Sequence, residues 1–84
     1  MSKIPKVEII TLKEEFLAIQ KDALYKPLTK VLIQELIYKY EELFAIYGLN
    51  DLRWTLTTRE NEIEFVPLRE IDKYALIGIM NCDK

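Results

Sequence analysis

The fold is decided at residues 53–65, which read RWTLTTRENEIEF. Polar and apolar residues alternate on both sides of the centre, a pattern typical of a β-hairpin with one polar and one apolar face. A two-residue tip at Glu60 and Asn61, or a four-residue tip from Arg59 to Glu62, gives the same register, whereas an odd loop sets the two faces against each other. The predicted pairs are Arg59 with Glu62, Thr57 with Glu64 and Thr55 with Val66 on the polar face, and Leu56 with Phe65 and Trp54 with Pro67 on the apolar face.

The segment after the hairpin, PLREIDKYALIGIMNCDK at residues 67–84, fits two structures. As a helix it has Pro67 in its first turn and Gly78 at its end, and its apolar face consists of Leu68, Ile71 and Ala75. As a fourth strand, residues 73–80 would have two apolar faces. The other predicted strands each have one polar face, which indicates a sheet that is exposed to solvent on one side and covered by helices on the other, so a strand with two apolar faces does not fit. We predict the helix, and the strand remains the alternative.

The most regular helical pattern lies upstream of the hairpin, at residues 27–47, with Gly48 able to close the helix in a left-handed conformation. Its apolar residues fall within an arc of roughly 140°. The predicted core face consists of Leu32, Ile33, Leu36, Ile37, Tyr40, Leu43, Phe44 and Tyr47.

Three apolar residues of this helix, Val31, Tyr38 and Ala45, repeat every seven positions within its polar side. Such a stripe is suited to seating another helix. Two interpretations are open. In the first, the stripe packs within the chain or is simply exposed to solvent; in the second, it contacts a partner protein.

The N-terminal part is predicted as a loose arm over residues 1–5, a short strand KVEII at residues 6–10 and a helix over residues 12–24. Thr11 and Glu14 have the spacing of a capping box for that helix. Its predicted buried residues are Leu12, Phe16, Ile19 and Ala23.

These elements predict an α+β protein of one domain, residues 1–84, in the order β-α-α-β-β-α. Its sheet is three-stranded and mainly antiparallel, with helices packed on one face. The alternative, β-α-α-β-β-β, has four strands.

Composition excludes several classes of function. The chain has no histidine, so catalysis by histidine and metal binding by histidine are excluded. The net charge of −2 is too small to indicate a polyanionic partner. One cysteine permits no internal disulfide and suits the cytoplasm. We expect neither a signal peptide nor a membrane span from the N-terminal sequence and the short apolar runs.

Two candidate ligand sites lie on the hairpin. Arg53 and Arg59 are candidates for nucleic-acid contact, but the outward positions carry threonine and glutamate instead of the aromatic residues on which bases stack. The alternating Glu60, Glu62 and Glu64 match no calcium-binding spacing. The sequence therefore predicts no metal, cofactor or catalytic residues.

By elimination, the predicted function is a small protein-interaction module with an accessory, inhibitory or regulatory role. Its partner is another protein or a second copy of the chain, and the candidate interface residues are Val31, Tyr38 and Ala45. A nucleic-acid-associated protein using Arg53 and Arg59, and a small enzyme, are the alternatives.

Overall fold

The computed structural model describes residues 5–82, and the α+β class is confirmed there. The elements within these residues are α1 (Lys6–Ala23), α2 (Lys30–Ile46), β1 (Trp54–Arg59), β2 (Glu62–Pro67) and α3 (Glu70–Met80). The order is α-α-β-β-α, and the sheet in the described part has two antiparallel strands instead of the predicted three. Of the predicted N-terminal arm, residues 1–4 lie outside the described residues.

The strand predicted at residues 6–10 is wrong, because these residues form the first turns of α1. Ile9 lies three residues before Leu12, and Phe16 follows four residues later, so the helical period already begins at Ile9. Val7, which a strand would have turned to the same side as Ile9, is 75% exposed. Four alternating residues, 6–9, are too few to oppose a helical repeat that runs through the whole segment.

Helix α1 begins after Pro5, whose carbonyl accepts hydrogen bonds from the amides of Glu8 and Ile9 at 3.0 and 3.1 Å. Thr11 was predicted to cap this helix and instead lies inside it, where its Oγ1 donates to the carbonyl of Val7 at 3.1 Å. The predicted capping box at Thr11 is therefore wrong. The predicted buried face of this helix is confirmed, with Leu12 and Phe16 buried and Ile19 and Ala23 packed against the core.

Helix α2 begins at Lys30 instead of residue 27, because Thr29 caps it by accepting a hydrogen bond from the Leu32 amide at 3.1 Å. It ends in a Schellman motif, in which the amide of Leu49 donates to the carbonyl of Phe44 at 2.8 Å. Gly48 has φ +73° there, which confirms its predicted closing role.

Substitution of Gly48 by Ala is expected to lower the free energy of unfolding by about 1 kcal/mol, since an L-residue is strained in the left-handed region. A Cβ at Gly48 would meet nothing within 4 Å, so the loss is purely conformational. Chemical denaturation measures it.

The matched control is Gly78→Ala, because a Cβ there also meets nothing within 4 Å and Gly78 lies inside α3. This variant is expected to gain up to about 1 kcal/mol from helix propensity. Equal losses in the two variants would contradict the assigned backbone conformations.

The hairpin register is confirmed at every predicted pair, and Thr58 pairs with Ile63 in addition. Its tip is the two-residue form, with φ values of 53° at Glu60 and 66° at Asn61. Positive φ at both central residues defines a type I′ turn, whose twist matches that of the strands. The polar face is exposed from Thr55 to Arg59, so the predicted wet side of the hairpin is also confirmed.

The final segment is a helix, as predicted, but its bounds and its buried face differ from the prediction. Pro67 is the last residue of β2, and α3 continues through Gly78 to Met80. Leu68 and Ile71, predicted to face the core, are 59% and 58% exposed. The helix is rotated because Asp72, buried at its first turn, fixes its orientation.

All three helices and the hairpin contribute to one core within the described residues. The predicted core face of α2 is confirmed, since five of its residues are buried and the other three are partly buried. Five aromatic rings with centroid separations from 5.0 to 6.4 Å join the helices to the hairpin: Phe16, Tyr40, Phe44, Trp54 and Phe65. This aromatic cluster fixes α1 and α2 on the inner face of the hairpin.

Candidate protein-binding groove between helix α2 and strand β1

The start of β1 is held by the carboxylate of Asp72, which is 2% exposed. Asp72 Oδ1 accepts from the Arg53 amide at 3.1 Å and from Arg69 Nη2 at 2.8 Å. Asp72 Oδ2 accepts from the Arg69 amide at 3.1 Å and from Arg69 Nε at 2.6 Å. One buried carboxylate therefore joins the first turn of α3 to the start of β1.

The hydrogen bonds that join Asp72 to Arg69 and to the Arg53 amide are called the clip. Arg69 extends the clip to the loop between α2 and β1, because its Nη2 also donates to the carbonyl of Asp51 at 2.9 Å. The Arg69 guanidinium holds the pKa of Asp72 far below its ordinary value. The sequence patterns described above assign no structural role to Asp72. The three-residue spacing of Arg69 and Asp72 at a helix start was the signal that could have revealed the clip.

The clip supports one side of a groove of about 750 Å³ between α2 and β1. The α2 wall consists of Ile37, Tyr38, Glu41, Glu42, Phe44 and Ala45. The opposite wall consists of Arg53 and residues 54–56 at the start of β1, and residues 49, 50, 52 and 68 complete the lining. The groove therefore has an apolar base, from Ile37, Phe44 and Trp54, and two acidic residues on its α2 rim.

Within residues 5–82, β1 pairs only with β2, so the β1 wall of the groove presents a strand edge without a partner strand. Arg59 and Glu62 flank a two-residue turn, so they form a hydrogen-bonded pair, and such pairs recur at every second residue. The Leu68 amide donates to the Arg53 carbonyl at 3.1 Å, which agrees with this phase. The N–H and C=O groups of Trp54, Leu56 and Thr58 consequently point away from β2.

The groove brings together two of the three predicted interface residues. Tyr38, which is 68% exposed, and Ala45 both line it, whereas Val31 lies exposed near the start of α2 outside the groove. All three residues of the stripe are exposed within residues 5–82, which the first interpretation, packing or plain exposure, also allows. The role of the stripe in binding stays a prediction.

The two arginines predicted as weak nucleic-acid candidates are not brought together. Arg53 lines the groove and Arg59 lines a separate cleft between α1 and β2, six residues or about 20 Å along the strand. Glu62 pairs with Arg59 in the register. Lys6, which a first strand would have placed on the sheet, begins α1 instead. The described residues offer these arginines no shared phosphate site.

The acidic side chains and the cysteine of residues 5–82 form no cluster of metal-binding size. No group of three or more acidic or cysteine side chains in that part of the chain is placed to hold a metal ion. Burial raises the pKa of the Tyr40 hydroxyl to about 12, within the aromatic cluster. Tyr40 is therefore a packing residue that is protonated at neutral pH.

The raised pKa of Tyr40 predicts a loss of stability in alkali. Its contribution is complete below the ordinary tyrosine pKa of 10.0 and is lost as the pH rises towards about 12. The free energy of unfolding of the wild type is expected to fall more steeply over this interval than that of Tyr40→Phe. Denaturant titrations of both proteins at several alkaline pH values measure the difference, and parallel pH dependences would contradict the assigned burial.

Comparisons with known proteins give no relative. No model of a known protein family matches the chain, and no curated protein or solved structure shows significant similarity to it. Among residues 5–82, no helix has the length and apolar character needed to cross a membrane. A function therefore has to be argued from the groove and the exposed surfaces.

Proposed function

We propose that this protein is a small protein-interaction module that binds an extended segment of a partner in the groove between α2 and β1. The observation that carries the proposal is the position of Tyr38 and Ala45 beside the unpaired edge of β1. A groove between a strand edge and a helix suits β-augmentation, in which main-chain hydrogen bonds supply affinity and pockets for alternate side chains supply specificity.

The chemistry of the groove defines the kind of segment that fits. Its backbone would pair with the outward groups of Trp54, Leu56 and Thr58, and its inward side chains would contact the apolar base. Glu41 and Glu42 on the rim favour a basic residue in the partner. The segment is therefore extended, apolar at alternate positions, and positively charged where it passes α2.

This mode of binding suits an accessory, inhibitory or regulatory role, because the partner segment is held by hydrogen bonds and apolar contacts and no reaction is catalysed. A single cysteine suits a reducing compartment, so we place the protein in the cytoplasm. Neither the separated Arg53 and Arg59 nor any acid and base pair in the described residues favours nucleic-acid binding or catalysis over this role.

The first experiment substitutes the exposed side chain of the groove. Tyr38→Lys removes an apolar contact and places a cation beside the rim that is proposed to receive a basic residue, so it is expected to reduce capture of basic, extended partner segments at least tenfold. Tyr25→Lys is the matched control, because Tyr25 is also exposed but lies in the turn before α2. Equal capture by Tyr38→Lys and Tyr25→Lys would contradict the proposal.

The second experiment removes one donor from the open strand edge. Thr58→Pro deletes an N–H that faces away from β2, where proline is compatible with an edge strand, so the hairpin is retained. Capture is expected to fall, whereas the control Thr58→Ala keeps the N–H and the binding. Unchanged capture by a folded Thr58→Pro variant would exclude strand pairing at this edge.

A further inference from the structure

The C-terminal half of α3 carries no charge. Residues 74–82 read YALIGIMNC, and apolar side chains point in every direction around the helix. Ile79 is buried, and Leu76 and Met80 pack against the core, so the chain covers one side. A helix that is apolar all round is usually buried on all sides, which the described residues of one copy do not achieve here.

The uncovered side forms a continuous apolar face, which consists of Ile71, Tyr74, Ile77 and Gly78. The side chains of Ile71, Tyr74 and Ile77 are 58%, 68% and 46% exposed. Placed at 100° intervals, these four residues span about 120° of the helix. A Cβ at Gly78 would meet nothing within 4 Å, so the surface between the larger side chains is open. We call these residues the α3 face.

The area of the α3 face sets the strength of contact it can support. Its three large side chains expose roughly 400 Å², which is the size of the largest apolar patch on a typical monomer and is often functional. Two such faces in contact bury roughly 800 Å² before rim residues are added, which is the range of weak, reversible complexes.

We propose that the α3 face is where two copies of the chain pair, α3 against α3 and antiparallel about a twofold axis. In a twofold contact only residues near the axis meet their own copy, and each end of one helix meets the opposite end of the other. Glu70 lies on the side of the α3 face at its N-terminal end and Lys73 lies beside it, whereas residues 74–82 carry no charge, so antiparallel pairing places the charged end of each helix against the uncharged end of the other. The Val31, Tyr38, Ala45 stripe has Lys39 next to its central residue, so its self-pairing would bring like charges together at the axis.

This inference goes beyond the proposed function, because it concerns a second surface and a second copy of the chain. Tyr38 and Ala45 lie on α2 and take no part in the α3 contact. A pair joined through α3 would present two grooves, so a partner with two suitable segments would bind more tightly than a partner with one.

Sedimentation equilibrium over a range from about 5 to 500 μM tests the inference. The wild type is expected to rise from the monomer mass of 10.0 kDa towards twice that value. Tyr74→Glu places two carboxylates in the contact and is expected to weaken association at least tenfold. Tyr38→Glu is the matched control, because Tyr38 and Tyr74 are both 68% exposed on helices and undergo the same substitution.

Ile77→Lys is a second variant of the same face, with the opposite charge and a position near the end of α3 where a cation is favourable. It is expected to dissociate like Tyr74→Glu. Circular dichroism of each variant checks that its helices are retained, and loss of association by a folded variant reports the contact and not the fold.

The inference is overturned if the folded wild type stays at monomer mass at every concentration, since the α3 face would then have a different occupant. It is also overturned if Tyr38→Glu dissociates the pair while Tyr74→Glu and Ile77→Lys do not. The proposed function fails separately, because it requires Tyr38→Lys to lose the partner segment whereas Tyr74→Glu retains it.

Discussion

Replacement of Phe16 by Ala is expected to lower the free energy of unfolding by about 3 to 5 kcal/mol. Phe16 is 3% exposed, and its ring lies 5.2 Å from Tyr40, 6.0 Å from Phe44 and 5.0 Å from Phe65. Through these rings Phe16 joins α1 to both α2 and the hairpin. Truncation removes that contact and leaves a cavity among rings held by three separate elements, so the site cannot easily collapse.

A small domain has a total stability of roughly 5 to 10 kcal/mol, so Phe16→Ala would lose much of it. Denaturant-induced unfolding, followed by the fluorescence of Trp54, measures the change. The neighbouring Leu17 is 42% exposed and is the control, with Leu17→Ala expected to cost about 1 kcal/mol or less. Equal losses at Phe16 and Leu17 would mean that α1 does not dock on the hairpin as described.

The second large effect is expected at Asp72. Asp72→Asn keeps the size of the side chain but replaces an acceptor oxygen with an NH₂ group facing the donors of Arg69 and Arg53. The N–H groups of Arg69 and Arg53 then lack the acceptor oxygen that they bind in the wild type. Leaving buried donors without an acceptor is among the most destabilising effects of a substitution. We expect thermal unfolding about 10 °C below that of the wild type.

Asp51→Asn is the matched control for this prediction, because Arg69 binds the backbone carbonyl of Asp51 and not its carboxylate. It is expected to shift the midpoint by no more than about 3 °C. If Asp72→Asn unfolds at the same temperature as Asp51→Asn, the clip does not hold the start of β1.

The pH dependence of the Asp72 effect follows from the lowered pKa of its carboxylate. A carboxylate whose pKa is lower in the folded state stabilises the protein fully above its ordinary pKa, here 3.8, and loses that contribution as the pH falls below it. The difference between wild type and Asp72→Asn is therefore expected to be full at pH 7 and to shrink in acid. Thermal unfolding of the wild type and Asp72→Asn at pH 7 and below pH 3.8 measures this difference. A difference that is the same at the two pH values would contradict an ionised Asp72 carboxylate in the clip.

The hairpin and α2 could be predicted from the sequence because their determinants are local. Alternation on both sides of Glu60 and Asn61 permits one register, and the apolar arc of α2 is long enough to dominate any competing pattern. The strand predicted at residues 6–10 was wrong because its pattern was too short to decide the structure by itself. A short alternating run was considered by itself, although Ile9 belongs to the helical repeat that continues through Leu12 and Phe16.

The buried face of α3 and the binding groove could not be predicted in the same way. Residues of α3 are apolar on every side, so periodicity does not say which side meets the core, and Asp72 decides it through contacts with Arg53. The groove depends on the distance between Tyr38 and the edge of β1. That distance is set by the aromatic cluster, whose members are far apart in the chain.

The proposal that the groove binds an extended protein segment is tested most directly by amide chemical-shift mapping. The probe is a set of peptides selected on the wild-type protein from a random-sequence display library. We expect saturable shift changes concentrated at Trp54, Leu56 and Thr58 on β1 and at Tyr38 and Ala45 on α2. Failure to select any binding peptide, or shifts confined to the α3 face or to the polar face of the hairpin, would contradict it.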